Sequence, residues 1–259
     1  MTPYQKFKQE CDQEIEAIGQ DADLISATRA WINRANEKKY SYHFEWLGRP
    51  IIQYPQDIVA MQELIWKVRP DLIIETGIAH GGSLIFSASI LAQLELCDAI
   101  EKGAVLDPAK PSRMVVGVDI DIREHNRAAI EAHPMASRIK MLQGSSIDPG
   151  IVSQVREIAS QYSRVLVCLD SNHTHDHVLG ELDAYAPLVS PGSYCVVFDT
   201  IIEDLPEDSF PDRPWARGNN PKTAVHAYLQ SNPDFSIDRS MDSKLLISVA
   251  PEGYLRRAG

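Results

Sequence analysis

Two kinds of block alternate along this chain. Short runs such as Leu72-Ile73-Ile74, Val115-Val116-Gly117-Val118, Val165-Leu166-Val167-Cys168-Leu169 and Tyr194-Cys195-Val196-Val197-Phe198 are almost continuously apolar, the pattern of strands buried on both faces. Between them lie longer stretches that carry apolar residues at helical spacing. The pattern predicts strands over 71–76, 114–120, 139–143, 164–170 and 193–199, with helices over 82–97, 123–132, 149–161 and 176–189. That alternation is the signature of an α/β doubly wound, mostly parallel sheet with right-handed crossovers. Four of the apolar runs stop on a carboxylate: Glu75, Asp119, Asp170 and Asp199. In open parallel sheets ligands bind outside the carboxyl ends of the strands, so four acids at one edge predict an active site there.

The flanks are less regular. Residues 2–39 read as helical, with Phe7, Ile15, Ile18 and the stretch from Leu24 to Trp31 supplying apolar positions. The aromatic segment 40–54 (Tyr40, Tyr42, Phe44, Trp46, Tyr54) reads as irregular, a lid or a subunit contact, and a helix over 57–68 stops before Pro70. A helical N-terminal extension (1–54) therefore precedes one α/β domain (55–259). Two connections are long. Residues 97–113 read as a surface excursion, and 200–220, directly after an active-edge strand, as a substrate loop. A helix over 221–230 is followed by 235–239 and 244–249, which read as a closing antiparallel hairpin around Met241-Asp242.

Composition narrows the partners. With 259 residues, 44% of them hydrophobic, the chain buries a real core. A net charge of −11 with no basic stretch argues against nucleic acid and anionic lipid and for a small-molecule substrate. No run of about 18 apolar residues occurs, and Met1 to Asp21 is polar and acidic, which gives an expectation of a cytoplasmic protein with no membrane partner. Cys11, Cys97, Cys168 and Cys195 lack any metal or redox spacing, and two of them lie inside apolar strands.

The loop Glu75-Thr76-Gly77-Ile78-Ala79-His80-Gly81-Gly82-Ser83 joins the first core strand to its helix, and its glycines let the backbone turn tightly and approach a ligand. Its spacing is not G-x-G-x-x-G, which speaks against NAD and FAD. An acid ahead of the first glycine suits an amino-bearing ligand better than a pyrophosphate. Asp119, with Asp121 behind it, is placed to accept from ribose hydroxyls, and Gly144-Ser145-Ser146-Ile147-Asp148 offers small polar groups to an adenine edge, or else simply caps the next helix. Together these point to S-adenosylmethionine, with Glu75, Gly77, His80, Ser83, Asp119, Ser146 and Asp170 as the cofactor-binding set. The densest titratable cluster is Asp170-Ser171-Asn172-His173-Thr174-His175-Asp176-His177. Histidine suits a general base acting on an alcohol, and Asp170 with Asp199 offers hard oxygen ligands to Mg²⁺. His175 and His177 fit structural roles at a helix start. Trp215, Arg217, Asn220 and Lys222 are the candidate acceptor-binding residues, an aromatic platform plus donors suited to a sugar.

These motifs, in this order from about Tyr54 to Val249, resemble the cephalosporin hydroxylase/rhamnosyl O-methyltransferase family: I-E-T-G-I-A-H-G-G-S, V-G-V-D-I-D-I, G-S-S-I-D, L-D-S-N-H-T-H-D-H-V-L-G-E-L, G-S-Y-C-V-V-F-D-T-I-I-E-D-L-P and P-W-A-R-G-N-N-P-K-T-A-V. The resemblance implies a class I methyltransferase fold, S-adenosylmethionine as cofactor, a hydroxylated sugar or antibiotic intermediate as acceptor, and a homo-oligomer. It also implies that a strand-end Asp and an acidic pair on the next strand hold Mg²⁺, places that Asp170 and Asp199 fill. Phe198 stands where the first acid of that pair is expected, which leaves a gap for water, His173, Glu203 or Asp204. A histidine three residues after the metal-binding Asp is the base in some relatives, and His173 has that position. The competing readings are a non-haem iron hydroxylase built on two histidines and Asp170, a non-catalytic S-adenosylmethionine-binding accessory protein, and an NAD-linked dehydrogenase.

Overall fold

The computed structural model describes residues 1–259. Its centre is a seven-stranded sheet whose strands lie in the order β5 (Ile139–Gln143), β4 (Met114–Asp119), β3 (Leu72–Thr76), β6 (Val165–Leu169), β7 (Tyr194–Val197), β9 (Tyr254–Arg257) and β8 (Phe235–Ile237). Five strands are parallel: β3, β4, β5, β6 and β7. β3, β6 and β7 are buried at every position, as their unbroken apolar runs require. The helices α4 (Gly82–Lys102), α5 (Glu124–Glu131), α6 (Pro149–Ala159) and α7 (His175–Tyr185) cross between these strands, and the strand order reverses at β3, so the sheet is doubly wound. Two apolar clusters, one on each face, contain side chains that alternate along the strands: Ile73, Leu166 and Val196 on one side, Ile74, Val167 and Val197 on the other.

Expected boundaries shift at two places. α4 continues to Lys102 rather than stopping near residue 97, so the surface excursion begins at Gly103, whose φ of +60° ends the helix in a left-handed turn. By length and mean hydropathy α4 matches a membrane span, but more than half of that window is buried inside the fold, as in any core helix. The larger correction is at the C-terminus. The hairpin expected over 235–239 and 244–249 does not form, because Asp238 accepts a hydrogen bond from the Ser240 amide (3.2 Å) and starts the helix α9 (Arg239–Leu245), which buries Met241. β8 (Phe235–Ile237) pairs instead with β9 (Tyr254–Arg257), and β9 runs antiparallel to β7. α8 (Pro221–Ser231) lies before this pair, started by the Asn220 side chain.

The helical N-terminus is two helices, α1 (Pro3–Gln20) and α2 (Ala22–Asn36), separated at Asp21, whose side chain accepts from the Leu24 amide at 2.9 Å. The aromatic segment forms a two-residue hairpin, β1 (Glu45–Trp46) with β2 (Arg49–Pro50), and then runs into α3 (Pro55–Val68). It packs against the start of α4: a Cβ on Gly82 would lie 2.1 Å from the Pro50 carbonyl oxygen, and Trp46 donates its indole N–H to Ser89 at 2.9 Å.

α3 is tied to the C-terminal strands by one buried carboxylate. Asp57 accepts from the Ser248 hydroxyl (2.6 Å), the Val249 amide (2.9 Å) and the Tyr254 hydroxyl (2.9 Å). Burial pushes its carboxyl up to about 6 even though these three donors oppose the shift. Replacement by Ala strands three donors, two of them on buried side chains. Asp57→Ala is expected to lower stability by about 3 kcal/mol, seen as a lower urea midpoint at unchanged slope, with Asp57→Asn intermediate. A variant as stable as the wild type removes Asp57 from this role.

Candidate functional site

The strand tips meet because backbone approaches backbone. Gly77 adopts φ +89°, and a Cβ there would sit 2.0 Å from the Asp170 carbonyl oxygen, so only glycine lets the loop after β3 close on the end of β6. The Asp170 amide donates to the Thr76 carbonyl (2.9 Å) and the Gly77 amide to the Val118 carbonyl (2.8 Å), which stitches three tips into one edge. The glycine loop is clamped from outside as well. Arg49 donates to the His80 carbonyl (3.0 and 2.6 Å) and to Asn126, and Asn126 donates to the Ala79 carbonyl at 2.9 Å.

Asp119 ends β4 with its carboxylate facing this loop. One oxygen accepts from the Ile78 amide (2.8 Å) and the Ala79 amide (3.3 Å), the other from the Asp121 amide (3.0 Å). A carboxylate has about four lone-pair sites, so room for a ligand hydroxyl remains. Glu75 is 4% exposed and is hydrogen-bonded by the Ser83 hydroxyl. Burial raises its carboxyl to about 7, against the opposing pull of Ser83. Asp170 is raised well above the carboxylate range, first by burial and then by the nearby charges of Asp199 and Glu75. Glu75 and Asp170, but not Asp119, line a cavity of about 30 Å³, room for a water or two, whose polar lining is Gln53, Asp57, Glu75, Ser83, Ser87 and Asp170.

Asp170, His173 and Asp199 converge, with ligand atoms all within 4.8 Å of one another. His173 Nε2 lies 3.2 Å from Asp199 Oδ2, and its ring is edge-on to Trp215 at 4.7 Å. Asp199 holds a left-handed backbone (φ +56°), uncommon for a residue with a side chain. The other two histidines point elsewhere. His175 Nδ1 meets Thr223 Oγ1 at 2.8 Å, and His177 Nε2 meets Ser146 (3.0 Å) and Ser171 (3.3 Å), with buried Glu181 at 3.6 Å. Two histidines and one carboxylate around a common point, the iron-hydroxylase arrangement, are therefore not assembled.

Ser146 is 4% exposed and engaged with His177, while Asp148 caps α6 through the Gly150 and Ile151 amides, so the capping reading of that segment holds for Asp148. Of the four expected acceptor residues, only Trp215 reaches His173. Arg217 is exposed and donates to the Glu203 and Leu205 carbonyls. Asn220 is fully buried: its side chain caps α8 and donates to Glu203. Lys222 is turned into the fold, paired with Asp204 and, at 3.5 Å, with Glu252. The local sequence explains the correction, since Asn-Pro-Lys-Thr is a cap followed by a first turn. Glu203 and Asp204 are spent on these partners and do not fill the gap left by Phe198, which is itself buried. Gln53, which donates to Asp170 Oδ2 at 3.4 Å, has no signal in motif spacing; a single amide inside the apolar stretch Ile51-Ile52-Gln53-Tyr54 was the only hint.

The raised Glu75 makes stability depend on pH. Below about pH 4.5 both folded and unfolded chains hold the proton and nothing is lost. Between about 4.5 and 7 the unfolded chain ionises while the folded one does not, so stability falls as pH rises, reaching a constant deficit of about 3 kcal/mol above 7. Glu75→Gln in the ligand-free protein is expected to match the wild type in melting temperature near pH 4 and to exceed it at pH 8. A difference that does not change with pH contradicts this.

The chain is similar in sequence and in fold to known proteins. The rhamnosyl O-methyltransferase of Mycobacterium bovis (strain BCG / Pasteur 1173P2) is 30% identical over 207 residues, 78% of this chain and 73% of the relative. That of Mycobacterium leprae (strain TN) is 28% identical over 214 residues, 82% of each chain. Among solved structures, CmcI with Mg and SAM has a TM-score of 0.54 at 19% identity, covering 84% of this chain and 78% of its own. CmcI with SAH has a TM-score of 0.55 at 20% identity, covering 83% of each. At these identities the likeness shows the shared fold. A family model for rhamnosyl O-methyltransferase/CmcI matches residues 38–258, and the chain belongs to that family.

Proposed function

We propose that this protein is an S-adenosylmethionine-dependent O-methyltransferase acting on a hydroxyl of a sugar or natural-product intermediate, aided by a divalent metal. The observation that carries the reading is the convergence of Asp170, His173 and Asp199 beside the glycine loop. The names of the mycobacterial relatives, and the Mg and SAM that accompany CmcI, support it. Residues 55–259 form the transferase domain in this reading, 1–54 its extension, and the working state is a cytoplasmic homo-oligomer.

The cofactor supplies a methyl group on a sulfonium. Gly77 and the loop to Ser83 would hold its amino-acid arm, with the Glu75 and Asp170 carboxyls beside it, and Asp119 would accept from the ribose hydroxyls. With Nε2–H donated to Asp199, the other nitrogen of His173 carries the lone pair and takes the acceptor's proton. When bound, the cofactor would supply the methyl carbon to that acceptor oxygen, the electrons of its carbon–sulfur bond staying on a neutral thioether. Trp215 fixes the His173 ring from the side and walls the acceptor space. Two carboxylates within reach of one point fit a hard divalent cation: Asp170 and the Asp199 oxygen not used by His173 would hold Mg²⁺, which would lower the hydroxyl's pKa.

The same 4.8 Å cluster favours one other reading, in which His173 is itself a metal ligand. Calorimetry separates them. Wild type is expected to bind S-adenosylmethionine and Mg²⁺, Asp119→Ala to weaken the cofactor and Asp170→Ala to lose the metal. His173→Ala should keep both affinities while methylation of hydroxylated acceptors falls at least a hundredfold. Loss of Mg²⁺ binding in His173→Ala assigns it as a ligand, and a wild type that does not bind S-adenosylmethionine refutes the function.

A further inference from the structure

Gln53 lies on the segment ahead of α3, yet its side chain ends among the strand tips. It is 7% exposed, and its Nε2 supplies the one hydrogen bond received by the Asp170 carboxyl, at 3.4 Å. Its Oε1 is buried with no partner at all. A buried amide oxygen left unpaired costs about 1–3 kcal/mol, so the orphan marks a place where a donor is missing. The donor's chemistry can be read from the surroundings. Gln53 lines the cavity together with Asp57, Glu75, Ser83 and Asp170, and no Lys or Arg lines it. Three carboxyls and an amide oxygen around a space of about 30 Å³ call for a small group with several N–H donors and a positive charge.

We propose that Gln53 bridges the two halves of the site: its amide oxygen accepts from the α-ammonium of the cofactor's amino-acid arm while its amide N–H orients the Asp170 carboxylate. The inference rests on the S-adenosylmethionine reading and deepens it, since it makes the segment before α3 part of cofactor selection. Glutamine is the residue for such a bridge because one planar group presents an acceptor and a donor at once. Glutamate would add a further carboxylate to a cavity that already has three, and asparagine would stop a methylene short.

The test compares two ligands that differ only in the arm. Calorimetry with S-adenosylhomocysteine and with 5′-methylthioadenosine, which keeps the adenosyl thioether and lacks the amino acid, is run on wild type, Gln53→Met and Gln53→Asn, with thermal melts confirming folded protein. Gln53→Met is expected to weaken S-adenosylhomocysteine about ten- to a hundredfold and to leave 5′-methylthioadenosine within about twofold. Gln53→Asn should show the same selectivity with a smaller loss. Equal losses for the two ligands, or none, overturn the proposal, since a merely structural amide has no reason to sense the arm. A wild type that binds neither ligand sinks the transferase reading itself, a result that is visible before any variant is made.

Discussion

Everything at the active edge depends on one backbone contact, the approach of Gly77 to the Asp170 carbonyl. Parallel pairing of β3 with β4 and β6 aligns the strand ends, but alignment alone leaves the tips a side chain apart; the absent Cβ at 77 closes that distance. Closure has an electrostatic consequence. Glu75 and Asp170 come to share a poorly solvated space, and each then holds its proton more tightly than an exposed carboxyl would. The chain supplies no cation to offset this. Arg49 is used on the His80 carbonyl and on Asn126, and Lys222 is paired with Asp204 and Glu252. A site built this way gains stability from any ligand that brings positive charge, whether sulfonium, ammonium or metal ion.

The N-terminal segment belongs to this arrangement. As a pattern, 40–54 is aromatic and irregular, and neither a lid nor a subunit contact can be told from it. In the fold its backbone lies against Gly82 at the start of α4, Arg49 holds the glycine loop, and Ile51 and Tyr54 enter the same apolar cluster as Leu64 and Ile85. Gln53 falls between two residues fixed in that core, which explains how an amide far from the strand tips in sequence arrives beside Asp170 with little freedom.

Legibility tracked burial. The four central parallel strands, β3, β4, β6 and β7, were readable because residues buried on both faces have to be apolar without interruption, and the acids at their ends stand out against that background. β9 was not readable, since Tyr254-Leu255-Arg256-Arg257 is short and half polar, and its partner is decided by contacts with β7 rather than by its own pattern. The histidines show a second limit. Spaced two apart, His173, His175 and His177 looked like one cluster. Asn172, however, accepts from the Thr174 amide and hydroxyl (2.9 and 2.8 Å) and sets the helix start at His175, so His173 stays outside α7 while His175 and His177 diverge around it. The same turn chemistry took Asn220 and Lys222 from the acceptor space, where residue type alone had placed them.

Asp199 and His173 reach each other from the ends of two neighbouring parallel strands, β7 and β6. Asp199 sits in a left-handed turn after β7, and the next residues are held from the C-terminal side: the Thr200 hydroxyl donates to the Pro251 carbonyl (2.7 Å), the Ile201 amide to the Val249 carbonyl (3.2 Å), and Val249 is in turn fixed by Asp57. His173 is positioned instead by the loop from β6 into α7, whose first residue is hooked to the 200–220 connection through Asn219 (2.9 Å). Two separately anchored halves meet at a single 3.2 Å contact between Nε2 and Oδ2. Such a contact is held by scaffolds on both sides rather than by its own strength, which suits the proton-accepting role proposed for His173. The strained backbone at Asp199 fits that picture, because a carboxylate aimed across the edge, instead of outward along the strand, needs a turn that an ordinary extended exit from β7 does not provide.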